Sequence, residues 1–402
     1  MPTKWQKKYL TTKYKMNSLK ENANRSLWKP IRVPSNSNFK KIIKQILKNP
    51  GVQVIDQYDK NLEELFLLRN PKYRFNPDYF SEFKRFREKH IGKGAPEIMG
   101  VWFYFPWSNN LVHFLPEKMH QELRTGRNQY LITKQEQERY YESVIGVLGM
   151  SVGSHVALTI AMTGGARHIK LADPDNISGD NLNRVRTGFQ NVGTNKSIAV
   201  ARQIFEINPY AKVEIYKNGL TEANAKKFLK DIDVLVEEMD DPYLKINVRF
   251  LAKKMGMPVI MAADNGDGII ADVERFDRDK TYPILHGLIG EKKSEDLKKI
   301  LPENLPGIMA KIAGADIANL RMLESVAEVG KSIYSWPQLG TAATMCGAVL
   351  AYLARRIILR DSKIRSGRYE VNPDAIFESG YNLKFAKSVR EKQRNKLLKK
   401  II

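Results

Sequence analysis

From Ser143 onward the chain alternates short apolar runs with amphipathic stretches of helical period, and few architectures accept that order. Val144–Leu148 is an apolar run of the kind buried in a parallel sheet, Ser154–Thr163 carries helical spacing, and Ile169–Ala172 is a second strand that stops at Asp173. Helix Ser197–Ile207, strand Val213–Tyr216, helix Ala223–Leu229, strand Val234–Glu237, helix Tyr243–Met255 and strand Val259–Ala262 extend the series. Strands separated by helices of this length predict a doubly wound, mostly parallel sheet in the α/β class.

The chain ahead of this region has a different texture. Residues 1–34 hold few apolar side chains and no sustained period, which predicts a loosely held basic arm. Asn38–Leu47 reads as a helix stopped by Asn49-Pro50-Gly51, followed by a strand at Val52–Ile55, a helix at Leu62–Leu68, and strands at Val101–Phe105 and Leu111–Leu115. These pieces suggest a small α+β domain over residues 35–120, a larger α/β domain over 121–378, and a basic C-terminal tail over 379–402. With 402 residues and 43% hydrophobic content, the chain can bury both cores.

Charge and cysteine content exclude several functions. The net charge of +22 concentrates at the two ends, in Lys4–Arg32 and Lys384–Lys400, and such cationic arms attract phosphate backbones or an acidic partner, if they are not simply solubilising. One cysteine, Cys346, excludes an internal disulfide and any multi-cysteine zinc site; it lies in the Ala/Gly-rich run Leu339–Ala348 with no histidine beside it, so a buried structural thiol is expected. The six histidines include no pair spaced to share one helix face. The apolar run Gly340–Ala354 meets Arg355 and Arg356 before the ~20 residues a bilayer needs, so it reads as a buried helix. The basic N-terminus lacks the apolar core of a secretory signal, and a cytoplasmic protein with no membrane partner is expected.

The polar residues that bear chemistry cluster at the strand ends. Gly149-Met150-Ser151-Val152-Gly153 is a tight strand-to-helix turn that could bring backbone amides to a phosphate, or serve only as a packing turn. Asp173 ends the second strand, where a carboxylate can accept ribose hydroxyls. A hydride-transfer enzyme needs no polar, cationic run directly after that acid. Here Asp173-Pro174-Asp175, Asn181-Leu182-Asn183-Arg184 and Gly193-Thr194-Asn195-Lys196 follow, and a triphosphate requires such charge and fixed donors.

This series resembles the ThiF/MoeB/ubiquitin-activating adenylyltransferase superfamily, whose signature is a glycine loop, D-x-D, S-N-L-N-R-Q, a downstream G-x-x-K, and T-D-N after a later strand. The resemblance spans about 240 residues. It implies a Rossmann-like domain that binds ATP with Mg²⁺. By position it implies that Gly149, Ser151 and Gly153 form the nucleotide loop, Asp173 and Asp175 hold the ribose side, and Asn181, Asn183 and Arg184 contact the nucleotide. Lys196 would approach the phosphates, Asp240 would hold Mg²⁺ at the reacting phosphate, and Asp241 would lie beside it in the nucleotide site. Arg124-Thr125-Gly126-Arg127-Asn128-Gln129 is similar to the family's R-Y-x-R-Q helix, which makes Arg127 the candidate arginine acting across a homodimer, and otherwise a surface charge. The resemblance thus assigns catalytic roles to Arg127, Arg184, Lys196 and Asp240. There are departures: the glycine loop is one residue shorter than usual, Val185 replaces Gln, Met239 and Asp241 flank Asp240 where Thr and Asn are usual, and the paired C-x-x-C motifs of a structural zinc are missing.

The expected activity is ATP-dependent activation of a carboxylate, the C-terminus of a small protein or peptide, as an acyl-adenylate. Two rivals stand beside it. One is a carboxylate-activating enzyme acting on tRNA through the basic arms, like threonylcarbamoyl-adenosine dehydratase; the other is a catalytically silent dimeric scaffold.

Overall fold

A computed structural model of the chain describes residues 27–92, 94–290 and 308–401. They form two compact units, one running to Lys134 and also taking in Ala201–Tyr210, the other made of Gln135–Val200 and the chain from Ala211 onward. The cationic stretch Lys4–Arg25 lies outside the described residues.

The first unit contains, in order, β1 (Ile31–Arg32), α1 (Phe39–Ile46), β2 (Gln53–Asp56), α2 (Tyr58–Arg69), α3 (Tyr79–Ile91), β3 (Val101–Phe105), β4 (Asn110–Phe114) and α4 (Glu117–Arg124). Its sheet has the order β1-β3-β4-β2, with β2 parallel to β4 and the other pairs antiparallel. Tyr58, Leu62, Leu65 and Leu115 form one apolar cluster; Val33, Trp102 and Leu111 form a second, against Phe39, Ile42 and Ile43 of α1. The sheet extends beyond the expected domain limits. Ile31 and Arg32, expected in the arm, pair with Tyr104 and Phe103, and α3 has no counterpart in the sequence expectation because its apolar spacing is broken by charged residues.

The second unit contains α5 (Lys134–Tyr141), β5 (Val144–Leu148), α6 (Val152–Met162), β6 (His168–Ala172), the start of α7 (Lys196–Ile207), whose residues from Ala201 on belong to the first unit, β7 (Lys212–Tyr216), α8 (Glu222–Leu229), β8 (Val234–Glu237), α9 (Pro242–Met255), β9 (Val259–Asn265) and β10 (Gly268–Glu274). It continues with α10 (Leu320–Val326), α11 (Gly340–Ile358), β11 (Gly367–Val371), α12 (Asp374–Phe377) and α13 (Lys384–Ile401). The sheet order is β11-β10-β9-β8-β5-β6-β7, parallel from β9 to β7 and closed on its other side by the antiparallel pair β10 and β11. The mostly parallel α/β sheet expected from the alternation is therefore present. From β5 the chain winds out to β6 and β7, then returns to β8 and β9, so the carboxyl ends of β5 and β8 form the switch point where such sheets leave a crevice.

Helix α11 is apolar and long enough by composition to cross a membrane. In the fold it packs on α6 and against β9, with Ala342, Ala343, Cys346, Leu350 and Ala354 buried. Beneath the sheet lies a charged quartet. Glu237 of β8 receives the Lys245 ammonium at 2.9 Å and a short bond from Arg249, and Arg249 reaches on to Glu274 of β10 at 2.7 Å. All four are buried. Their remaining lone pairs are used: Glu237 Oε1 accepts the Met239 amide and Glu274 Oε1 accepts the Leu285 amide. Each charge is thus hydrogen-bonded as well as paired, as a buried charge requires. Within the expected basic tail, residues 384–401 form α13, packed on α10, with Ala386, Val389, Leu397 and Leu398 half-buried.

Candidate functional site

The site grows from the ends of β5, β6 and β8. At Gly149 the backbone turns with φ +80°, and a Cβ there would stand 2.2 Å from the Glu238 carbonyl oxygen. Only glycine fits this close approach of two strand ends. Gly153, the second residue of α6, packs against Val147, where a Cβ would meet Cγ1 at 2.9 Å. Gly153 therefore sets the helix-to-strand distance. Between them, Ser151 occupies the N-cap position of α6, and its Oγ is buried with no hydrogen-bond partner among the described residues.

Asp173, one residue beyond β6, fixes this loop from beneath. Its Oδ2 accepts the Met150 amide at 2.6 Å and its Oδ1 accepts the Asp175 amide at 2.8 Å. Burial pushes its pKa up against the pull of Lys196 and those two amides. Lys196 opens α7, and its ammonium lies 2.9 Å from Asp175, whose carboxylate is mostly exposed. Asn195 holds the pair in place: its Nδ2 donates to the carbonyls of Asp173, Asp175 and Lys217, while its Oδ1 accepts the Ser197 amide at 3.1 Å. Asn195 is a positioning residue that the sequence motif contains but does not single out.

The next cluster lies on the 3-10 turn Gly179–Asn183. Asn181 is buried and closes a capping box with Ser178, so its side chain shapes the turn. Asn183 donates to the Gln338 carbonyl at 2.9 Å. Arg184 is tied through one terminal nitrogen to the Asp180 carbonyl and the Asn183 side chain, while its Nε is buried without a partner among the described residues. Facing this turn is the segment that precedes α11. Tyr334 donates to Asp180 at 2.7 Å, and Gln338 donates to Asp264, at the end of β9, at 3.1 Å. Beside this turn lies an open cavity of about 520 Å³ lined by Asp180, Asn183, Arg184, Arg321, Tyr334 and Trp336, among others. Its lining carries two arginines, Arg184 and Arg321, against one acid, Asp180, which already accepts from Ser178 and Tyr334. Arg321, Tyr334, Trp336, Gln338 and Asp264 carry no local sequence signal, since Tyr334 reaches Asp180 across 154 residues and Gln338 reaches Asp264 across 74.

The acids after β8 divide. Asp240 is exposed and its side chain has no partner among the described residues. Asp241, expected in the nucleotide site, instead N-caps α9 by accepting the Leu244 amide at 2.8 Å. Arg127 is exposed on the 3-10 turn Gly126–Asn128 of the first unit, whereas the other candidate residues belong to the second. Cys346 is fully buried 3.5 Å from Asp264, and burial, with Asp264 and Glu238 nearby, pushes its thiol pKa well up. A thiol so placed is not a nucleophile.

These residues fit a nucleotide triphosphate. The unpartnered Ser151 hydroxyl and Arg184 Nε are donors awaiting acceptors, and Lys196 stands at a helix start. Among the described residues no three His, Cys, Asp or Glu side chains converge as a metal cage. A Mg²⁺ here would be held by Asp240 and by phosphate oxygens, in the manner usual for that ion.

Residues 125–396 match the model of the ThiF family. The chain is 31% identical over 338 residues to the uncharacterized protein MT1398 of Mycobacterium tuberculosis, covering 84% of this chain and 44% of that one. It is 26% identical over 156 residues to the sulfur carrier protein adenylyltransferase of Thermus thermophilus, covering 38% of this chain and 55% of the relative. The chain thus matches about half the length of these relatives. Among solved structures, E. coli MccB aligns with 18% identity and a TM-score of 0.42 over 75% of each chain. E. coli tRNA N6-threonylcarbamoyladenosine dehydratase aligns with 18% identity and a TM-score of 0.43 over 60% of this chain and 96% of its own.

Proposed function

This chain belongs to the ThiF family, and from that premise we propose that it is an ATP-dependent adenylyltransferase that activates the C-terminal carboxylate of a small protein or peptide. The observation that carries the reading is the arrangement at the switch point, where Asp173 fixes the Gly149 loop and Asn195 fixes Lys196 beside Asp175. A carboxylate oxygen of the substrate attacks the α-phosphorus of ATP, the bond to the bridging oxygen breaks, and pyrophosphate leaves. Negative charge grows on the non-bridging oxygens, so preorganised cations supply the acceleration and no protein nucleophile is required.

Lys196 and Arg184 are the cations this chain brings to those oxygens, with Arg127 added from the second subunit of a homodimer. Asp240 would hold Mg²⁺, which neutralises charge on the leaving pyrophosphate. The cavity between Arg184 and Arg321 would take the carboxylate-bearing end of the substrate, with Tyr334 and Trp336 forming an apolar wall. A carboxylate on tRNA is the second reading, favoured by the net charge of +22.

Pyrophosphate exchange with candidate peptides, and separately with bulk tRNA, distinguishes the two. Lys196→Ala is expected to lose on the order of a hundredfold or more of the exchange rate, since it removes one preorganised charge at the reacting phosphate. Exchange at the parent rate in that variant removes Lys196 from the site. No exchange by the parent with either class leaves a nucleotide-binding scaffold.

A further inference from the structure

The C-terminal region combines two features that packing does not explain. Ile376 and Phe377 of α12 and Leu383 and Phe385 around the start of α13 are 72%, 85%, 65% and 81% exposed, although they lie in ordered helices or the short turn between them. Directly after them, Lys384–Lys399 holds seven basic residues and one acid, Glu391. The structure sorts these charges. Arg390 stacks 3.6 Å from the Tyr381 ring and Arg394 donates to the Ala318 carbonyl, so both arginines are engaged with the protein. The exposed side carries Lys384, Lys387, Lys392, Lys396 and Lys399. At a rise of about 1.5 Å per residue, this lysine stripe is about 22 Å long.

We propose that this face, apolar at Ile376, Phe377, Leu383 and Phe385 and cationic along α13, docks the protein on an anionic phospholipid surface. A stripe of strongly hydrated lysines suits diffuse attraction to many headgroups, and exposed apolar side chains beside it gain by entering the acyl boundary. Single-stranded nucleic acid would match the lysines and could stack on Phe377 and Phe385, but it would leave the exposed aliphatic side chains of Ile376 and Leu383 uncovered, whereas an acyl boundary takes all four. A second copy across a twofold axis would set this cationic helix against itself. Fixing α13 through Arg390, Arg394 and its inner apolar side means that the face is already formed before it meets a surface.

The test is co-sedimentation of the full chain with vesicles of mixed phosphatidylcholine and phosphatidylglycerol, and with phosphatidylcholine alone. Partition into the anionic vesicles is expected and should weaken as salt rises. Replacing Lys384, Lys387 and Lys392 together by Gln should lower the partition coefficient on the order of a hundredfold, at roughly fivefold per lysine near an anionic surface. The double substitution Phe377→Ser and Phe385→Ser should lower it at least about tenfold. All five side chains are exposed, so melting temperature and pyrophosphate exchange in solution should stay at parent values. Equal partition into both vesicle types overturns the proposal, as does unchanged partition in the phenylalanine variant. Retention on single-stranded RNA without affinity for either vesicle also overturns it, in favour of a nucleic-acid partner.

Discussion

Glu238 sits where β8 meets the Gly149 loop, and its Oε1 accepts the Ala262 amide at 2.8 Å. Burial raises its pKa well above the ordinary carboxylate range, and the neighbouring Glu237 and Asp264 carboxyls add to the shift. The folded chain therefore holds a proton there that the unfolded chain releases at lower pH. This stabilises the fold fully below the ordinary glutamate range and fades as pH rises through the raised value. Glu238→Gln keeps the acceptor for Ala262 and removes the ionisation, so its melting temperature should exceed the parent's at pH 8 and converge with it toward pH 4. A variant less stable than the parent at pH 8 would show that the carboxylate is held ionised. The adjacent Glu237 is visible in the sequence, but Asp264 arrives from another strand and cannot be read there. Cys346 was more legible: its Ala/Gly-rich surroundings already predict the burial observed, but not the carboxyl of Asp264 beside it.

At the scale of elements, adjacent aspartates after β8 have separate duties. Asp241 caps α9, whereas Asp240 is exposed and unbonded among the described residues. Asp241→Ala is expected to lower unfolding free energy by about 1 kcal/mol while exchange activity per folded molecule persists. Asp240→Ala is expected to leave stability within about 0.5 kcal/mol and to reduce exchange, with partial recovery at high Mg²⁺. Denaturant melts and exchange assays on both proteins check the division, and the reverse pattern would exchange the two roles. The parallel strands were readable because burial on both faces leaves continuous apolar runs, as in Val144–Leu148 and Val234–Glu237. Strand β10 was not, although Asn265-Gly266-Asp267-Gly268 before it carries a hairpin signal, since the alternation of strands with helices suggests another helix there. Helix α13 was hidden because its inner face mixes Ala386, Val389, Leu397 and Leu398 with two arginines that also point inward.

Across the whole molecule, the half of the candidate site built from strand ends could be read in sequence order, and the half brought in by the segment before α11 could not. Asp173, Arg184 and Lys196 follow β6 in one continuous stretch of chain, whereas Tyr334 reaches Asp180 across 154 residues. The buried charges of β8, α9 and β10 are joined over much shorter stretches, of 8, 12 and 25 residues. Removing Glu237 leaves Lys245 unpaired and removing Arg249 leaves Glu274 unpaired, each at roughly 3–5 kcal/mol, a large part of the ~5–15 kcal/mol that holds a typical domain folded, while losing Lys245 or Glu274 leaves the other three with an unbalanced charge. An apolar set of similar volume could be as stable, but no single substitution leads to it without passing through a nearly unfolded ancestor. Descent should therefore have kept the quartet whole or exchanged it in one linked episode. A survey of related chains that preserve this sheet should find these positions charged together or apolar together, and lineages with only one or two of the four would show that the fold tolerates the gap.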